Sequence, residues 1–460
     1  MPVEIAYDMA ACQRHLWENM RIRSTGPTGH SSANMFAANL LVGHLDVQRL
    51  TEAIQYLTDI HDVLRMRLSG ADESPRLIVA ASTPPPIAFI DISARPDDAG
   101  RTAQLWRGIL AAVVGQEFDL VKSSPWCCTV IRLAADKHVV CLCLNHLLVD
   151  GPSAQVLMSQ LGAIYSGHDI DPRPGSYAQF ADRVYPYDSG RFWTSETAAV
   201  GYDGAVVEAP TDSAGPQTVA WRSYPVSFND DVPILTSGAM RRNHWTPYLV
   251  HAAAYCAALA KIFDRSSFVV GSSVYRGDLA PTPTSVGCYL DFTYFLYHDA
   301  PEASVNDLVV GVKRAFFRGM ENLSLKRSII ADIRFAGDVT RVPEEAVLHD
   351  VWIRGAFGLD SEFVTPVFGD LDVEVIPRPG GLACRSLTTP YQVWLYSKKL
   401  MPGLYLSSAD GRSAYVRANM SAYSYNFLQR IMAVYRNVLL AMDDLNNPVR
   451  HARDSEDFSC

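Results

Sequence analysis

The chain has 460 residues, a formal net charge of −9 at pH 7, and 48% hydrophobic against 19% charged residues. These values are typical of a soluble globular protein with two average domains or one large one. The acidic balance argues against nucleic acid as a partner, and no apolar run is long enough to span a membrane. The N-terminus has no basic region followed by an apolar one, so no secretory signal is visible and we expect a cytoplasmic protein.

The nine cysteines are scattered along the chain, with no CxxC pair and no Cys/His cluster at zinc spacing. Cys127, Cys128, Cys141 and Cys143 lie in two apolar, strand-like runs. We therefore expect buried, reduced thiols and no metal site. The sequence contains no motif typical of metal hydrolases, P-loop proteins or dinucleotide-binding proteins.

The N-terminal part of the chain alternates helix and strand patterns. The segment 46–64 is amphipathic, and Asp46 is placed to cap it as a helix. The other helices are predicted at 6–20 and 99–118, and the strands at 32–43, 76–82, 85–92, 126–134 and 137–146. The last two strands are expected to form a β-hairpin.

The stretch "NHLLVDG", residues 145–151, follows this hairpin. If the strand is regular, His146 lies on one face and Asn145 on the other. A histidine can accept a proton near neutral pH. Asp150 is placed to cap the next helix or to pair with an arginine, and Gly151 puts an amide at the helix N-terminus, where an oxyanion can be held. Taken alone, the pattern is more typical of a buried core histidine and a simple helix cap.

The rest of the chain continues the alternation. A helix is predicted at 152–167, ending at Gly167, and residues 199–218 are rich in Gly, Pro, Asp and Ser. Later helices are predicted at 244–263, 304–323 and 421–442, and strands at 266–274, 363–376 and 391–408. This pattern predicts an α/β (α+β layered) fold of two lobes, residues 1–185 and 219–460, joined by a linker region at 186–218.

Several segments, in the same order, resemble the condensation domains of nonribosomal peptide synthetases, whose signature is HHxxxDG. "NHLLVDG" resembles that signature. The other similar segments are "DMAACQRHLWENM", "LVGHLDVQRLTEAIQYLTDIHDVLRMRL" with His61, Leu64 and Arg65, the helix closing with Tyr165, "FVVGSSVYRGD" and "VGCYLDF". No DFGWG motif of the plant-type relatives is present.

The resemblance implies two chloramphenicol-acetyltransferase-like lobes in a V-shaped pseudo-dimer, with a tunnel that meets at the histidine. It implies that His146 and Gly151 are catalytic, and that Asn145, Asp150 and Arg276 are structural at the site, with Arg276 as the partner of Asp150. It also implies no permanently bound cofactor. The donor would be a thioester on the phosphopantetheine arm of an acyl or peptidyl carrier protein, and the acceptor a small-molecule amine or alcohol.

Two departures from the family pattern stand out: Asn145 replaces the first histidine of the signature, and Asp291 replaces an asparagine of the "G-F-F-x-N" stretch. No adenylation or carrier segment follows in the sequence, so we expect a free-standing condensation enzyme of natural-product biosynthesis that forms an amide. The alternatives are an ester-forming acyltransferase and a catalytically silent module that recruits a partner. The sequence leaves open the identities of donor and acceptor, whether the donor is carried by a carrier protein or by coenzyme A, and the oligomeric state.

Overall fold

The computed structural model describes residues 4–22, 34–70, 75–93, 99–122, 124–183, 190–199, 221–227, 238–276, 280–300, 302–322, 351–354, 365–376, 403–405, 413–419, 425–444, 446 and 448–449. Contacts divide the chain into two compact units. Unit 1 consists of Met1–Tyr185, Tyr275–Asp291 and Phe363–Leu395, and unit 2 consists of Pro186–Val274, Phe292–Glu362 and Tyr396–Cys460.

Helices and strands alternate as the sequence predicts, but the helix expected at 6–20 begins at Ala11, and residues 5–7 form a strand instead. The helices are α1 Ala11–Ile22, α2 Val47–Ile60, α3 Ala99–Val114, α4 Gly151–Ser166, α5 Tyr177–Arg183, α6 Gly190–Ala199, α7 Pro247–Phe263, α8 Val305–Glu321 and α9 Tyr425–Leu440. The strands are β1 Ile5–Tyr7, β2 Asn34–Val42, β3 Met66–Leu68, β4 Leu77–Val79, β5 Ile87–Asp91, β6 Trp126–Ala134, β7 Lys137–Asn145, β8 Trp221–Ser227, β9 Ser267–Tyr275, β10 Leu290–His298, β11 Val351–Arg354, β12 Asp372–Val375, β13 Gly403–Tyr405 and β14 Ser413–Asn419.

Unit 1 is built on a five-stranded sheet in the order β12-β2-β7-β6-β5. The predicted hairpin is confirmed, since β6 and β7 are antiparallel and Cys127 lies opposite Cys143. β7 also pairs with β2, which places Asn34 opposite Asn145 at the end of the ladder. Because β7 is central and its residues from 138 to 145 are all buried, its C-terminal end is fixed from both sides.

Helix ends follow the local signals in the sequence. Asp46 caps α2, and its side chain accepts a hydrogen bond from the Arg49 amide. Gly167 ends α4 in the left-handed conformation, with φ of 79°. These caps confirm the predicted start of α2 and the predicted end of α4, whereas α2 ends at Ile60 and not at residue 64.

The units are not two consecutive lobes, because two later segments group with unit 1 instead of with residues 219–460. In the first, Gly287 lies so close to the ring of Tyr177 that a Cβ would overlap it. In the second, β12 pairs with β2, and a Cβ at Gly162 of α4 would overlap the Val367 carbonyl oxygen. Periodicity predicts elements but not which distant segments pack together, so the sequence could not place these two.

The segment predicted as a linker also differs from the expectation, because residues 190–199 form α6. Trp193 of this helix is buried in unit 2, against the ring of Tyr294. Residues 200–220 lie outside the described residues, as does most of the strand expected at 391–408, of which β13 is described.

Unit 2 contains a six-stranded sheet in the order β10-β9-β11-β13-β14-β8. Its apolar core joins α7, α8 and α9 to strands β9 and β10. α7 has twelve buried residues, from Leu249 to Ala260. A helix that is apolar on all sides is typical of the centre of a layer. Across the described residues, no helix is both long and apolar enough to cross a membrane.

His61 is a buried histidine that joins the end of α2 to α4. It is 1% exposed, and its Nε2 donates to Oε1 of Gln160 at 2.7 Å. Gln160 in turn donates through its Nε2 to the Thr284 carbonyl at 3.3 Å. Burial lowers the pKa of His61 to about 4, and the nearby Arg65 adds to this shift. The imidazole is therefore neutral at pH 7.

The His61 shift predicts a pH dependence of stability. The folded protein binds fewer protons at His61 than the unfolded chain does, so stability is lost as the pH falls from about 6.5 towards 4. When the pH is lowered from 7 to 5, the free energy of unfolding should fall by about 2 kcal/mol more in the wild type than in His61→Gln. Urea unfolding of both proteins at the two pH values measures this difference. His44→Gln, which changes an exposed histidine, is the matched control and should behave as wild type. Equal losses in His61→Gln and wild type would contradict the assignment.

Candidate functional site

The site residues predicted from the sequence lie where β7 ends and α4 begins. The Asn145 amide donates to the Pro125 carbonyl at 2.9 Å, which closes the ladder between β6 and β7. The Leu148 amide then donates to the Asn145 carbonyl at 2.9 Å, so the chain turns immediately after the strand. This turn places His146 between the rigid strand end and the start of α4.

His146 is 3% exposed, and its Nδ1 lies 3.0 Å from the Val149 carbonyl oxygen. A carbonyl only accepts, so Nδ1 must carry the proton in this contact. In the neutral imidazole the lone pair is then on Nε2. The local turn therefore sets both the ring orientation and the nitrogen that can accept a proton.

Asp150 is fully buried and uses both of its carboxylate oxygens. Oδ1 accepts from the Ser153 amide at 2.9 Å, which caps α4, and Oδ2 accepts from the Tyr289 amide at 2.9 Å. The Asp150 amide donates to the Gly287 carbonyl at 3.0 Å. The aspartate therefore caps the helix, as one sequence interpretation expected, and also holds the segment around Tyr289 against it.

The segment 285–289 has further contacts with unit 1. The Gly287 amide donates to Ser153 Oγ at 3.1 Å, and the Tyr177 hydroxyl donates to the Cys288 carbonyl at 3.0 Å. Tyr177 itself lies at the start of α5, where Asp62 accepts from the Tyr177 and Ala178 amides. Two buried carboxylates, Asp62 and Asp150, thus organise the backbone around this segment.

Asn145 makes one hydrogen bond to the backbone of the loop and one to the side chain of Asn34. Its Oδ1 accepts from the Leu147 amide at 3.0 Å, and its Nδ2 donates to Asn34 Oδ1 at 3.4 Å. Asn34 donates through Nδ2 to the carbonyls of Val114 and Gln116 at 2.9 and 2.7 Å. This amide chain links the loop to the end of α3.

Gln13 is a site residue that the sequence interpretation missed. It is fully buried on α1, its Nε2 donates to the Leu147 carbonyl at 2.6 Å, and its Oε1 accepts from the Ala10 amide at 3.2 Å. Its position gave a signal, because a glutamine three residues before Leu16 lies on the apolar face of the helix. Gln13 thus holds the residue next to His146 from a third element.

The remaining predicted residues lie in the same unit. Gly151 is the first residue of α4, so its amide is at the helix N-terminus. Arg276 donates its amide to the Tyr289 carbonyl at 2.8 Å, and Asp291 is 9% exposed at the start of β10. The ion pair between Arg276 and Asp150 and the oxyanion role of Gly151 stay predictions. In the part of the chain that the structure describes, no group of three or more His, Cys, Asp or Glu side chains could hold a metal ion.

The contacts of Asp150 predict a large effect on stability. Asp150→Ala leaves the buried Ser153 and Tyr289 amides without their acceptor, which should lower the free energy of unfolding by about 2–6 kcal/mol. Asp46→Ala removes an exposed cap of the same kind and should lower it by about 1 kcal/mol. Urea unfolding of both variants measures the difference. Similar losses in the two variants would show that Asp150 acts only as a cap.

Comparison with known proteins shows the family. A family model described as "Condensation domain" matches residues 12–322, which include every site residue described above. Surfactin synthase subunit 1 of Bacillus subtilis (strain 168) is 24% identical over 326 residues, covering 67% of this chain but 8% of that protein. The chain thus spans only a small part of this curated relative.

Solved structures show the same fold. The X-domain from teicoplanin biosynthesis, which has also been solved in complex with OxyB, is 16% identical with a TM-score of 0.70 over 96% of each chain. The condensation domain from Monacolin K polyketide synthase MokA is 16% identical with a TM-score of 0.67, over 97% of this chain and 99% of that one. These matches confirm the predicted chloramphenicol-acetyltransferase-like fold. Since the family model also matches well over half of its residues, the chain belongs to the condensation-domain family.

Proposed function

We propose that this protein transfers an acyl or aminoacyl group from the phosphopantetheine thioester of a carrier protein to an amine and forms an amide. The observation that supports this most is the contact between His146 Nδ1 and the Val149 carbonyl, which leaves the lone pair of the neutral ring on Nε2. Acylation of an amine needs a group that accepts the proton released by the nitrogen, and His146 is such a group, held in a buried site. We also propose that the carrier protein is a separate chain and that this protein acts in the cytoplasm.

In the proposed reaction, the neutral amine attacks the thioester carbonyl and a C–N bond forms. A free α-amine has a pKa of about 8, so part of it is already neutral at pH 7. His146 accepts the proton that the nitrogen releases. The C–S bond then breaks, and the proton passes from the imidazolium to the leaving thiolate. No covalent intermediate on the protein is needed.

The other site residues have positioning and electrostatic roles in this proposal. The Gly151 amide, at the N-terminus of α4, stabilises the negative charge on the carbonyl oxygen as the amine adds. Asp150 sets the start of that helix through Ser153. Asn145 and Gln13 hold the Leu147 backbone, so the ring of His146 stays in one orientation.

The first prediction of this proposal concerns His146. His146→Ala should lower the rate of acyl transfer by about 10²- to 10⁴-fold, since the proton acceptor is lost while the loop keeps its backbone contacts. The assay is intact-mass analysis of an acylated carrier protein, incubated with the protein and a set of amines and alcohols. His44→Ala, at an exposed position, is the control and should transfer at the wild-type rate. Full activity in a folded His146→Ala variant would refute the catalytic role, and products from alcohols alone would indicate an ester-forming enzyme.

The alternative of a silent recruitment module has one supporting observation, the solved complex of the related X-domain with OxyB. Asn145 separates the two proposals. Asn145 bonds the Leu147 backbone and the Asn34 side chain, and neither contact needs an imidazole, so Asn145→His should keep activity within a few-fold of wild type. Asn145→Leu leaves the Leu147 amide without its acceptor. It should lower the free energy of unfolding by about 1–3 kcal/mol and should lower activity more than Asn145→His does.

Both variants are assayed beside the wild type with the same carrier protein and acceptors. Transfer by the wild type with modest change in Asn145→His supports the enzyme. Transfer that arises only in Asn145→His would support the silent module and contradict the proposed function.

A further inference from the structure

Two thiols face each other on the strands that lead into the site. Cys127 of β6 lies directly opposite Cys143 of β7 in the ladder. Residues opposite each other in an antiparallel pair have Cα atoms about 4.5–5.5 Å apart. This spacing falls within the range of about 4.4–6.8 Å that disulfides need. The Cα spacing expected for the pair therefore lies within the range that a disulfide spans.

The sulfur of Cys127 is surrounded by hydrogen-bond donors. The Gln116 Nε2 donates to it at 3.0 Å, and the Thr129 hydroxyl lies 3.9 Å away. Together with a hydrogen bond from the Cys143 thiol, which has the largest effect, these groups lower the pKa of Cys127 to about 7. Cys127 is half-buried, so a small reagent can reach it. A thiolate that is populated at neutral pH is the reactive form of cysteine.

Cys143 is suited to be the second thiol. It is fully buried, and its Sγ lies 3.4 Å from the Val113 carbonyl, so its proton has an acceptor besides Cys127. The other cysteines of these strands, Cys128 and Cys141, are fully buried, and burial raises the pKa of both. Of the four, Cys127 alone combines access with thiolate character.

We propose that Cys127 and Cys143 are a peroxide-sensitive dithiol that closes to a reversible disulfide. Hydrogen peroxide oxidises the Cys127 thiol to a sulfenic acid, and one water is released. The sulfur of Cys143 then attacks the Cys127 sulfur, the S–O bond breaks, and a second water carries away the hydroxyl and the Cys143 proton. A dithiol reductant reverses the bond by exchange.

Cys143 lies two residues before Asn145 on β7, the strand that ends at the site, and Cys127 lies beside it on β6. Gln116, which donates to the Cys127 sulfur, also offers its backbone carbonyl to Asn34, the partner of Asn145. The dithiol is thus connected to the loop of His146 by contacts within unit 1. It requires neither substrate nor acyl transfer, so its test is independent of the proposed function.

The test treats the full chain with hydrogen peroxide, blocks free thiols with N-ethylmaleimide and maps linked peptides by mass spectrometry, with and without dithiothreitol. Wild type, Cys128→Ser and Cys141→Ser should each gain one reversible disulfide between β6 and β7. Cys127→Ser and Cys143→Ser should gain none. A bond between β6 and β7 that persists in Cys127→Ser, or no bond in wild type, would overturn the proposal.

A second measurement examines the thiolate of Cys127 without oxidation. The rate of iodoacetamide labelling at Cys127 is measured from pH 5 to pH 9 in wild type and in Cys143→Ala, which removes the donor to the sulfur. The wild-type midpoint should be near 7, and at pH 7 Cys143→Ala should react about tenfold more slowly. Identical rates and midpoints would show that Cys143 does not activate Cys127 and would contradict the pairing.

Discussion

The carboxylate of Asp150 is the contact on which the geometry of the site depends. A carboxylate without solvent exposure is unfavourable unless its oxygens accept hydrogen bonds, and here they accept from the Ser153 and Tyr289 amides. These two donors are more than 130 residues apart, so one side chain fixes both the start of α4 and the segment around Tyr289. With β7 ended at Asn145, only four residues remain between two fixed points, and His146 is the first of them.

Contacts with the backbone of its own loop help to orient the His146 ring. The Val149 carbonyl fixes the protonated nitrogen, while Asn145 and Gln13 each bind the Leu147 backbone, from β7 and from α1. Polar side chains directed at backbone hold a loop rigidly without adding charge near the ring. This arrangement also explains how Asn145 fits where the family signature has a histidine, since a hydrogen-bonding side chain of similar reach serves the same contacts.

Local rules predicted much of this structure, and tertiary contacts account for what they missed. The caps by Asp46 and Asp150 follow from helix-start signals in the sequence. The contact of Gln13 with Leu147 joins residues 134 apart in the chain, and no periodicity encodes such a pair. The same limit applies to the segment 275–291, because its place in unit 1 depends on the fit of Gly287 against another element and not on its own pattern.

The tautomer of His146 is the most direct test of this account, since the proposed chemistry depends on a lone pair at Nε2. Nitrogen-15 NMR of the protein labelled in its histidine rings, with His146→Asn to assign the signals, reports which nitrogen carries the proton at neutral pH. We expect a ring protonated on Nδ1, as the contact with the Val149 carbonyl requires. A neutral ring protonated on Nε2 would contradict it, because that nitrogen could not accept the proton from the amine.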